Sequence, residues 1–131
     1  MTAVAPSFLS PLVSHPSHGV RLRNARTGAT LADTLLPAFD SKTRRVGLLG
    51  RTSLADGSAM IIAPCNAIHT FFMQFRIDVL FVARNGRIVK IRPAMGPWRV
   101  AGSLRAHAVV ELPAGVLARG DNRVDDELVL V

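Results

Sequence analysis

Apolar and polar positions first fall into register at Val20, where Val20 and Leu22 alternate with Arg21 and Arg23 as on a strand with one buried face. Thr27-Gly28 offers a turn into a second, weaker run from Leu31 to Leu36. Asp40 or Ser41 can cap a short helix over Lys42 to Leu49, whose Val46 and Leu49 share one face and which Gly50 would stop. Ser58 to Ala63 holds Met60, Ile61 and Ile62 between Gly57 and Pro64, a length that suits a buried strand better than a helix. From Ile77 to Arg92 two apolar runs flank Asn85-Gly86, a dipeptide that accepts the positive φ values of a two-residue type I′ loop. Such a loop pairs Val82 with Val89 and Leu80 with Ile91, and leaves Asp78 on the apolar face. Past a stretch rich in Pro and Gly, Ala106 to Leu112 reads as a strand with His107, Val109 and Glu111 on one face. Pro113 to Arg119 reads as a helical turn or two closed by Gly120, and Glu127 to Val131 as a last strand.

Several short strands, two short helices and no βαβ alternation predict a mainly β fold, a small β-barrel or sandwich with one or two short helices. Ahead of Val20 the pattern is missing. Residues 1–19 are rich in Pro, Ser, Ala and His without strand or helix period, which predicts a disordered N-terminal tail before a single β domain over 20–131. His15 and His18 fall in that tail, where a mobile His pair is incidental.

At 131 residues and 49% hydrophobic, the chain can bury a core without staples. Cys65 is the only cysteine, so neither an intramolecular disulfide nor a cysteine-rich zinc site can form. Sixteen Lys plus Arg against nine Asp plus Glu give a net charge of +7, which draws anions. Only Lys42 and Lys90 are lysines, and a skew towards arginine follows genome base composition as readily as recognition of nucleic acid, which therefore ranks last among partner classes. No run reaches the roughly 18 apolar residues of a membrane-spanning helix, because Arg76 and Asp78 interrupt the longest. Met1 to Val13 is broken by Pro6 and Pro11 and makes a poor signal peptide, so a cytoplasmic location is expected.

Val46-Gly47-Leu48, Met60-Ile61-Ile62, Ile77-Asp78-Val79-Leu80-Phe81 and Glu111-Leu112-Pro113-Ala114-Gly115, in this order and spacing, resemble the prokaryotic family known as domain of unknown function 192. The resemblance runs from about Val20 to Val131 and implies a mainly β fold and no particular activity. Many members of that family have a Phe-Trp-Met-Lys-Asn-Thr run where this chain has Ile68-His69-Thr70-Phe71-Phe72-Met73, so that His69 stands for the Trp and Phe72 for the Asn. The ligand surface of the commoner form therefore does not carry over. Many relatives also bear export signals.

Cys65, His69 and Asp78 could form a nucleophile, base and orienting carboxylate, although no Gly-rich elbow or oxyanion loop accompanies them. With Glu111 the same side chains could ligate zinc, but the spacing of Cys65 and His69 puts both on one face only in a helix, and the segment reads as extended. Asp78 on an apolar strand face must be paired, by Arg76, Arg92 or backbone amides. Glu111 is placed to cap the turn that starts at Pro113. Trp98, beside Arg99, can stack on a ligand or plug the end of the fold, and Phe71, Phe72 and Phe75 read as core. The expected protein is a binding or accessory module for a protein partner or small ligand, with a shallow site near His69, Asp78, Trp98 and Arg99 and no cofactor or metal. A Cys/His-dependent hydrolase or metal-binding protein is the alternative, and a nucleic-acid-binding module the third class.

Overall fold

The computed structural model describes residues 7–14 and 19–131, and His15 and His18 lie outside these. In chain order the elements are α1 (Ser10–Ser14), β1 (Leu22–Asn24), β2 (Thr30–Ala32), β3 (Thr34–Ala38), α2 (Ser41–Val46), β4 (Ser58–Ile62), β5 (Ala67–His69), β6 (Ile77–Val82), β7 (Ile88–Met95), β8 (Val100–Gly102), β9 (Ala108–Pro113) and β10 (Leu128–Leu130). The fold is mainly β. Its centre is a five-stranded sheet in the order β3-β4-β9-β6-β7, accompanied by a three-stranded sheet β10-β1-β2 and a two-stranded ribbon β5-β8. The sheets end in open edges and do not close, so of the two expected architectures the layered one holds and the barrel does not.

Strands β4, β6 and β9 are buried along their whole length, which is why they read as continuous apolar runs. Alternate side chains enter two cores. Leu80, Val82, Val110 and Leu112 pack with Leu22, Leu31 and Leu128 of the three-stranded sheet, whereas Val79, Phe81 and Val109 pack with Leu48, Leu54 and Met73 on the other side. The first core is also closed by α1: Leu9 and Leu12 are both 2% exposed within it. Over residues 7–14 the structure thus departs from the expected tail, because the i, i+3 spacing of these leucines gives one turn of helix a buried face despite Pro11.

Asp40 caps α2, its carboxylate accepting the Thr43 N–H at 2.8 Å. The helix ends earlier than read, at Gly47, whose φ of 49° lies in the left-handed region. This segment carries the chain from β3 to β4, which run parallel, so one βαβ crossover exists where the pattern suggested none. In the hairpin, Leu80 pairs with Ile91 as expected but Val82 pairs with Ile88, not Val89. The loop closes with the Gly86 N–H on the Ala83 carbonyl at 2.9 Å, one residue longer than a type I′ turn, and a bulge sets Val89 and Lys90 together opposite Phe81. Ribbon β5-β8 was not legible in the pattern, because each strand has only three residues and most of them are exposed or half-buried.

Candidate functional site

The side chains of β9 alternate, and Glu111 shares its face with its cross-strand neighbours Met60 of β4 and Val79 of β6. That face is apolar. Glu111 is only 3% exposed, and its Oε1 has no hydrogen-bond partner among the described residues. Burial alone pushes its carboxyl up from 4.5 to about 7. It lies in the wall of a pocket of about 160 Å³, which also takes in Arg44 and Arg45 of α2, Gly47, Leu48, Ile62, Cys65, Ile68, His69 and Met73. A Cβ on Gly47 would stand 3.8 Å from Glu111 Oε1, in ordinary van der Waals contact, so the glycine that ends α2 lies directly beside the carboxyl. The Arg44 guanidinium is fixed at the wall, donating from Nη1 to the Pro64 carbonyl at 3.0 Å and from Nε to that of Asp40 at 3.3 Å.

Three of the six residues singled out from the sequence meet at this pocket: Cys65, His69 and Glu111. Cys65 is a poor nucleophile here. Burial pushes its thiol up, the charge of Glu111 adds to this, and the S–H donates to the Ala67 carbonyl at 3.1 Å. Nor do the three form a metal set, since among the described residues no three His, Cys, Asp or Glu side chains converge on one point.

Asp78 lies elsewhere, 1% exposed and turned to the first core. Its Oδ1 accepts the Ala94 N–H at 2.8 Å, and its Oδ2 accepts those of Gly115 and Leu117 at 3.0 and 2.9 Å. Asp78 therefore performs the capping expected of Glu111, for a segment that is a series of turns and not a helix. Its partners are backbone amides, and neither Arg76 nor Arg92 reaches it. Trp98 and Arg99 sit on the outer surface. Trp98 is 56% exposed and plugs nothing; it stacks on Phe71 and meets Phe72 edge-on, while Phe71 stacks in turn on His69. Phe72, read as core, is 71% exposed. This aromatic shelf is anchored by buried Thr70, whose hydroxyl donates to the Gly96 carbonyl at 2.6 Å and accepts the Arg99 N–H at 2.9 Å.

A family model for DUF192, described as "Uncharacterized ACR", matches residues 23–130. The chain belongs to the DUF192 family. Two solved structures share the fold. One is a protein from Sinorhizobium meliloti 1021 provisionally described as a transcription regulator, 26% identical, with a TM-score of 0.73 over 87% of this chain and 95% of that one. The other is a protein of unknown function from Novosphingobium aromaticivorans DSM 12444, 22% identical, with a TM-score of 0.71 over 83% of this chain and 81% of that one. No curated protein matches.

Within this DUF192 chain the two longest motifs are explained by one bond set: Asp78 of the first motif holds Gly115 of the second. Phe72, standing for the Asn of the commoner pattern, has φ 65°, a left-handed conformation that Asn accepts readily and Phe does not. The pocket residues Arg44, Arg45, Gly47 and Met73 were missed by sequence reasoning. The one signal that could have found them was Glu111 itself, an acid at an inward position of a strand.

Proposed function

We propose that this chain is a binding module that admits a small ligand to the pocket formed by α2, β4, β5 and β9, with Glu111 as the recognising group. The observation that carries this is the buried, unpartnered Oε1. A polar atom left unsatisfied in an apolar wall destabilises the fold by about 1–3 kcal/mol, and a ligand that completes its hydrogen bond recovers that loss. The test is a fragment screen read from labelled backbone amides in the wild type and in Glu111→Met. Hits that move Gly47, Cys65 and His69 in the wild type and leave them unmoved in the variant are expected. Hits that move only Trp98 and Phe72 would transfer the site to the aromatic shelf.

The description of the Sinorhizobium protein and the charge of +7 favour nucleic acid instead. Against this, the helices among the described residues span five and six residues, too short to lie along a major groove and read it. Absence of any shift of labelled duplex DNA at low salt is the expected result.

A further inference from the structure

We infer that the Glu111 pocket takes a small organic carboxylate with a short apolar chain, an inference that rests on reading the pocket as a ligand site. Its geometry asks for an acceptor. Burial favours the neutral carboxylic acid at Glu111, and a protonated carboxyl is an O–H donor with no acceptor of its own on Oε1 among the described residues. The neighbouring strands offer none, since β4 and β6 face Glu111 with Met60 and Val79.

The charges facing the pocket have one sign once Glu111 is protonated. Arg44 and Arg45 stand on α2, and His69, from β5, can only add positive charge. Cys65 faces it as an uncharged thiol, pushed up first by burial. Glu111 is the sole acid among the lining residues, so a cationic ligand would approach two guanidinium groups on a molecule of net charge +7. Leu48, Ile62, Ile68 and Met73 supply apolar walls, and about 160 Å³ suits a chain of a few carbons, not a nucleotide or a sugar chain. An acid O–H donating to the ligand carboxylate, with Arg44 fixed nearby, resembles sites that keep a carboxyl neutral so that it can donate.

Binding then requires the protonated form, and affinity follows its population. For a group titrating at about 7, the dissociation constant rises about tenfold between about pH 6 and about pH 8. The probes are butyrate, butylammonium and butanol, which share one chain and differ in head group, titrated against the full chain while the amides of Gly47, Cys65 and His69 are followed at both pH values. Butyrate is expected to bind best and to weaken about tenfold at the higher pH. In Glu111→Gln, whose amide donates at every pH, butyrate should lose this dependence of about tenfold. Butylammonium or butanol binding as tightly as butyrate, or an undiminished pH slope of about tenfold in Glu111→Gln, would overturn the carboxylate while leaving the pocket a ligand site. If none of the three probes moves these amides, the ligand site falls with it. Should Glu111→Gln not fold, the ranking of the three probes on the wild type decides alone.

Discussion

Glu111 shows how one side chain can bear on stability and binding together. Its folded value of about 7 against an ordinary 4.5 means that the folded state holds the proton more tightly than the unfolded chain. Stability from this group is therefore full below about 4.5, declines as pH rises, and levels off above about 7, a total change of about 3 kcal/mol. Urea midpoints of wild type and Glu111→Gln at about pH 5 and about pH 8 check this: the wild type should lose stability across the interval and the variant should not. A slope shared by both would assign it to another group. On the acid side Asp126 acts in the opposite sense. Its carboxyl is held well below the usual carboxylate range, first by the Arg26 guanidinium at 2.6 Å and then by Asn24 and the Arg123 N–H, so its contribution is present at neutral pH and lost as pH falls below that range. Both effects were hidden in the sequence. Glu111 reads as a cap for the turn that starts at Pro113, and Asp126 as one of three acids in a row.

At the scale of elements, Asp78 ties β6 to a second bulge of β7, between Arg92 and Met95, through the Ala94 N–H, and to the turns that follow β9. Asp78→Ala would strand three backbone N–H groups, that of Leu117 fully buried, and a loss of about 3 kcal/mol is expected. Denaturant unfolding measures the loss, and faster hydrogen exchange at Ala94 and Leu117 would place it; an unchanged midpoint would contradict this account. The need for a partner was legible, because a carboxylate on an apolar face has no other way to remain there. Which partner it finds depends on chain segments far away in sequence. The hairpin teaches the same distinction. Asn85-Gly86 located the turn, yet the extra loop residue follows from β10, whose Leu128 N–H donates to the Gly86 carbonyl at 2.7 Å while the Ile88 N–H donates to the Asp126 carbonyl at 2.9 Å. At Gly86, φ 92° and a carbonyl 2.5 Å from any added Cβ leave glycine alone possible.

For the whole molecule, the five-stranded sheet is covered on both faces, and the short α1 closes one of them. Leu12→Ala should therefore cost about 2–5 kcal/mol, as for a core leucine, whereas a change at an unordered tail residue would cost nothing measurable. Urea unfolding of this variant decides between the two. The mainly β class, the positions of β1, β4, β6, β7, β9 and β10, and a helix cap at Asp40 or Ser41 were determined by the sequence alone, because period, turn chemistry and capping are local and each residue carries its own share of the signal. Three things belonged to the tertiary structure: the β3-α2-β4 crossover, the helix at residues 10–14, and the gathering of Arg44, Cys65, His69 and Glu111 around one pocket with Asp78 left on the far side of the sheet. They follow from which faces are pressed together, and a strand's alternation says that two faces exist without saying what will cover each.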